Sequence, residues 1–136
     1  MRARAIIMVL GGCLLGVTGP VAGHHAFSSE FDATKPVILR GTVVKTEWIN
    51  PHAWVYIDVK GPDGTVETWA IECGAPNALL RRGWTKQSMP IGSEIVVDGF
   101  ASKKSSTTAN AKDITTADGQ KMFVGSSGTG APYEQK

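Results

Sequence analysis

Cysteine is almost absent from this 136-residue chain: it occurs only at Cys13 and Cys73. Cys13 lies in a greasy N-terminal stretch that reads as a removable leader. One thiol then remains, and an intrachain disulfide is excluded. A lone thiol in a strand-like segment reads most simply as a small buried hydrophobe, with a dimer bridge or a metal ligand as alternatives. The chain also lacks Cys-x-x-Cys, His-x-x-x-His, an EF-hand loop and a nucleophile elbow. Cys73 sits mid-strand rather than at a helix N-terminus, so classical nucleophilic catalysis finds no support and no catalytic residue is assigned. Glu47, Asp58 and Glu72 stand singly on strand-like segments and read as solvated polar faces.

An excess of one charge is missing too. Fourteen Lys and Arg face twelve Asp and Glu, and removing Arg2 and Arg4 with the leader leaves twelve against twelve. A balanced chain has no polyanion-binding surface, so nucleic acid is not an expected partner. Long apolar runs are missing as well. The longest, Ala5–Val17, is thirteen residues and broken by glycine, short of the roughly 20 a membrane helix needs. No transmembrane span is expected in the mature protein.

That run fits a secretory signal over residues 1–23. Arg2 and Arg4 supply the positive start, and Gly19-Pro20 breaks the helix. Val21 and Gly23 are small residues at −3 and −1 for a cut before His24. Cutting after Ala22 or Ala26 would put Pro20 or His24 at −3, which is less favourable. A looser lipoprotein box, 10-LGGC-13, would acylate Cys13, but apolar residues follow it where such a site normally closes the run. The mature protein is expected to be periplasmic or secreted.

Downstream, residues 24–36 read as an N-terminal arm. The segment 37-VILRGTVVKTEWI-49 is rich in β-branched residues and long for one strand, with Gly41 marking a bulge or bend. After Asn50-Pro51, 53-AWVYIDVK-60 alternates, with Ala53, Val55, Ile57 and Val59 on one face and Trp54 and Tyr56 on the other. The turn 61-GPDG-64 closes a hairpin onto 65-TVETWAIEC-73, where Trp69, Ile71 and Cys73 share a face. A two-turn helix follows, with Pro76 in its first turn and Gly83 as its stop. Strands are predicted over 93–102, 109–117 and 120–124, and 126–136 reads as a flexible tail. This order predicts a mainly β, five- to six-stranded OB-type Greek-key barrel over 37–125, with one short helix between strands three and four. A β-sandwich is the alternative.

The combination HHAFSSEFD, EWINPHAWVYIDV, GAPNALLRRGW and GSSGTGAP resembles a family of small exported bacterial proteins of unknown function. The likeness spans essentially the whole mature chain. It implies export and a mature start close to the His-His pair, and it carries over no activity. The chain departs from the pattern in having Gly23, where alanine is expected.

All three histidines fall in two places, His24-His25 and His52. A mature N-terminal His24 chelates through its α-amine and a ring nitrogen together, since that amine loses its proton near pKa ~7.7–8.0. His25 adds a ring, and His52, at the start of a strand, could add a third. Nitrogen-rich tetragonal sets suit Cu(II), with Ni(II) and Zn(II) behind it. An exposed histidine pair can equally be plain polarity, and His52 a turn residue hydrogen-bonded to a carbonyl.

Trp54 and Tyr56 offer a second candidate, an aromatic strand face that could stack on an organic ligand or a protein. Packing of that face under the arm, helix or tail is the competing expectation. Trp48 and Trp69 are expected as core or edge packing, and Trp84 as the pin of the loop after the helix. The favoured function is a non-enzymatic exported binding or accessory protein of the cell envelope, with copper as its possible cofactor and an unknown envelope partner. An organic-ligand or protein-binding module and a copper-dependent redox enzyme are the alternatives.

Overall fold

The computed structural model describes residues 26–135, so the signal segment and the predicted ligands His24 and His25 lie outside the described residues. The elements are α1 (Phe27–Glu30), β1 (Phe31–Trp48), β2 (Ala53–Lys60), β3 (Val66–Glu72), α2 (Pro76–Arg81), β4 (Glu94–Ser102), β5 (Thr108–Thr116) and β6 (Lys121–Phe123). A 3₁₀ turn over Pro132–Glu134 closes the described chain.

The 18-residue β1 organises everything else. Its second half, Thr42–Trp48, pairs antiparallel with β2, while Phe31 and Pro36–Thr42 pair with β4. The strand therefore serves two neighbours in turn, which accounts for its being long for one strand. Gly41 sits at the changeover. A Cβ there would come within 2.7 Å of the Asp58 carbonyl oxygen, so only glycine lets the strands approach this closely. The register slip itself falls between Val43 and Lys45, not at Gly41.

β2 pairs with β3, β4 with β5, and β3 runs parallel beside β5 over Ala70–Glu72. These pairings join β1, β2, β3, β5 and β4 into a barrel-like ring, with β6 added outside β5. The architecture is the mainly β one read from the sequence, and α2 lies between β3 and β4 in the chain. Pro76 stands in the first turn of α2, and Gly83, at φ +88°, takes the left-handed conformation past its end.

The ring's interior is filled by Val43, Val55, Ile57, Ile71, Ile95, Val97 and Ile114, with Cys73, Leu79 and Val124 closing it. Trp84, expected only to pin a loop, is the largest fully buried side chain. Its indole N–H meets no acceptor among the described residues, a cost of about 1–3 kcal/mol that the ring's burial must exceed. Trp48 and Trp69 pack partly buried against this core, as expected.

Both chain ends differ from expectation. The segment read as an arm forms α1 and the start of β1. The described part of the tail is docked, with Ser126 and Ala131 buried. Phe27, Phe31 and Ala131 form a second, smaller cluster against Phe100 and Tyr133. Phe27 and Phe100 meet edge to face at 5.5 Å, and Phe100 and Tyr133 stack at 6.4 Å. The Phe27 N–H donates to the Thr129 carbonyl at 2.9 Å, tying the two ends together. Three aromatic rings in these two segments, Phe27, Phe31 and Tyr133, pack with Phe100 of β4 and supply enough apolar area to hold them, which a reading of the polar, glycine-rich composition underweights.

Candidate functional site

Alternation on β2 puts Ala53, Val55 and Ile57 into the core and leaves His52, Trp54 and Tyr56 for the outer face. Register carries that face across the ring. Trp54 stands opposite Glu72 on β3, and Glu72 lies beside Asn110 on β5. His52 precedes β2, and its side chain is 14% exposed. A row of polar groups thus crosses the outside of the ring, where the two docked chain ends cover it.

His52 Nδ1 lies 3.1 Å from the Cys73 carbonyl oxygen and 3.4 Å from Ser126 Oγ. An Nδ1–H donating to that carbonyl places the imidazole lone pair on Nε2. Glu72 Oε1 is 4.0 Å from Nδ1, beyond hydrogen-bond distance. Glu72 is 8% exposed, which overturns its reading as a solvated strand carboxylate. Asn110 Nδ2 donates to Glu72 Oε1 at 3.1 Å, and Asn110 Oδ1 accepts from the Tyr133 hydroxyl at 2.8 Å. That hydroxyl in turn accepts from the Ser126 N–H at 3.2 Å. The relay fixes which end of the Asn110 amide faces the carboxylate. Burial pushes the Tyr133 hydroxyl up to about 12, with the Glu134 and Glu72 charges adding to it, so it stays protonated.

A cavity of about 30 Å³ lies between His52, Glu72 and Asn110 on the sheet, Ala26 and Phe27 of the N-terminal segment, and Thr129 of the C-terminal one. It has room for about one water or one ion. His52 also lines a larger cavity of about 150 Å³ with Asn77, Arg81, Ser126 and Ser127. Among the described residues no group of three or more His, Cys, Asp and Glu side chains is spaced to hold a metal ion. His52 and Glu72 are the two at this place.

Of the sequence-predicted site residues, His52 alone lines this cavity among those described. Trp54 and Tyr56 are both half-buried. The Tyr56 hydroxyl donates to Glu47 Oε2 at 2.9 Å, and the Lys45 ammonium stands 5.0 Å over its ring. Cys73 is buried, and that burial, with the Glu72 charge beside it, raises the thiol to about 12. Glu72 was read from the sequence only as a solvated carboxylate, and Asn110, Ser126 and Tyr133 went unmarked. Fixed pairing across the β2–β3 hairpin could have put Glu72 beside Trp54, but nothing local reveals Asn110 or Tyr133.

Fold and site define a small β-ring protein in which the segments around Phe27 and Thr129 roof a buried histidine–carboxylate pocket on the outer face. The chain belongs to a family of unknown function (DUF6152), matched over residues 13–111. The match includes His52, Glu72 and Asn110 and ends before GSSGTGAP. No curated protein and no solved structure matches the chain. Among the described residues no helix is long and apolar enough to cross a membrane.

Proposed function

We propose that the protein is an exported, non-enzymatic binding protein of the cell envelope that holds one Cu(II) ion. His24, the first residue after removal of 1–23, contributes its α-amine and ring, and His25 and His52 add further imidazoles. The observation that carries this reading is the position of Ala26. It lines the same cavity as His52 and Glu72, and the Phe27–Thr129 hydrogen bond anchors the segment there. The tautomer set by the Cys73 carbonyl, with the lone pair on Nε2, is the arrangement metal-bound histidines commonly use.

The alternative, an organic or protein ligand on Trp54 and Tyr56, has less support because Tyr56 already uses both its hydroxyl and its ring face. The test takes the exported protein, with its N-terminus established by intact mass. One Cu(II) per chain is expected, with binding collapsing when one residue is added before His24 and persisting in Trp54→Ala. Equal copper affinity in the extended chain would refute the N-terminal site.

A further inference from the structure

We propose that the cleft between α2 and the segment after β6 is a second binding site, which takes a small organic acid by its carboxylate on Arg81. The proposal goes beyond the copper reading and does not depend on it.

The cleft holds about 150 Å³, about five times the covered cavity beside it. That is below the roughly 300–1,000 Å³ of pockets for drug-sized ligands and suits a molecule of a few carbons. Its two walls are tied together. The Gly74 N–H donates to the Val124 carbonyl at 2.7 Å, and Arg82 Nη1 donates to the Gly125 carbonyl at 2.8 Å. The Arg82 guanidinium also stands 4.7 Å over the Phe123 ring. These contacts hold α2 against the segment after β6, so the cleft is formed before a ligand arrives and little ordering is lost on binding.

The two neighbouring arginines differ in what they touch. Arg82 is half-buried and occupied by the carbonyl and ring just named. Arg81 is exposed and lines the cleft, and its guanidinium makes no hydrogen bond or ion pair among the described residues. The helix dipole favours a cation in the last turn and by itself accounts for the charge. It does not account for the surroundings. Asn77 lies one turn earlier on the same face of α2, and Ser127 brings a hydroxyl from the other segment. Pro51, Ala75 and Ala78 supply apolar surface, and no Asp or Glu lines the cleft.

The class of ligand follows from those groups. A guanidinium presents a planar fork that matches the two oxygens of a carboxylate. One arginine offsets a monoanion, whereas a phosphate carries more charge than it can meet. The Asn77 amide and the Ser127 hydroxyl are further donors to oxygen, and the apolar residues offer surface to a short carbon chain. A free acid and the C-terminus of a peptide share this chemistry.

The experiment titrates copper-free protein, dialysed free of chelator, with sodium butyrate and follows backbone amide and arginine Nε–H resonances. Saturable shifts are expected at Asn77, Ala78, Arg81 and Ser127, and none with butyramide, which matches butyrate in heavy atoms and lacks its charge. Arg81→Gln should bind butyrate at least about tenfold more weakly, because charge-assisted bonds are lost. Lys86→Gln makes the same charge change at an exposed residue outside the cleft and should bind as wild type. The urea midpoint establishes that both variants fold. N-acetyl-alanyl-alanine identifies the source of the carboxylate: tighter binding than butyrate assigns a peptide C-terminus, weaker binding a free acid. Four results overturn the proposal: shifts that never saturate, butyramide or inorganic phosphate binding as tightly as butyrate, wild-type affinity in Arg81→Gln, or an equal loss in Lys86→Gln. With copper absent throughout, none of these outcomes bears on the copper reading, and failure of that reading leaves this site standing.

Discussion

Replacing Tyr133 by Phe removes one oxygen atom and keeps the ring in its cluster with Phe27, Phe100 and Phe123. That oxygen makes two bonds, donating to Asn110 Oδ1 and accepting from the Ser126 N–H. Both partners are buried, Asn110 at 2% exposure and Ser126 at 5%. A buried polar group left unsatisfied costs about 1–3 kcal/mol. Two such groups set a ceiling near ~6 kcal/mol. The adjoining cavity admits about one water, which can reach Asn110 and restore one bond, so the expected loss is about 1–3 kcal/mol. Urea unfolding reads this directly. With a slope of about 1–3 kcal/mol/M for a domain of this size, the midpoint should fall by roughly 1 M at an unchanged slope. A stability change under about 0.5 kcal/mol would refute the reasoning. It would mean that the C-terminal segment does not close this relay in solution.

Two further predictions follow from protonation. Cys73, buried and raised to about 12, should ignore a disulfide reagent at pH 8 in the native protein and react fully in urea; rapid labelling of the folded chain would contradict its placement. Burial alone would raise the Glu134 carboxyl, but hydrogen bonds from the Thr129 hydroxyl and the Thr129 and Gly128 N–H groups outweigh it and hold the carboxyl below its ordinary 4.5. A group lowered in the folded state contributes stability above its unfolded value and loses it as pH falls through the native one. The urea midpoint should therefore drop below about pH 4.5, and Glu134→Gln should flatten that drop; equal slopes in the two proteins would count against the Glu134 contacts.

The ring was legible because its strands announce themselves locally. The period-2 pattern of 53–60, the GPDG turn and the long β-branched segment through Gly41 each have a short-range cause. The helix was legible for the same reason, through Pro76 and Gly83. What escaped depends on distance along the chain. The docking of 26–36 and 126–135 rests on Phe27, Phe31, Phe100 and Tyr133 meeting from three separate places, and no short window of sequence contains more than two of them. Trp84 was misjudged because a tryptophan after a helix stop carries no sign of which way its ring turns. Within the site, His52 and the outward direction of Trp54 and Tyr56 follow from alternation. Glu72 alternates outward by the same rule and so read as solvated. Its burial is imposed by the terminal segments, which strand periodicity does not describe.

That difference bears on how the pocket works. Its floor, made of His52, Glu72 and Asn110, is fixed by hydrogen-bonded strands, whereas its roof is made of the segments around Phe27 and Thr129. The roof is held by backbone bonds from Phe27 to Thr129 and from Lys103 to Glu30, by the Lys103 ammonium on the Ser28 carbonyl, by the Tyr133 hydroxyl on Asn110, by the Ser126 hydroxyl on the Cys73 carbonyl and by the aromatic cluster. Such segments open at lower free energy than the strands beneath them. A ligand can therefore enter the covered cavity by release of an end, without breaking the ring.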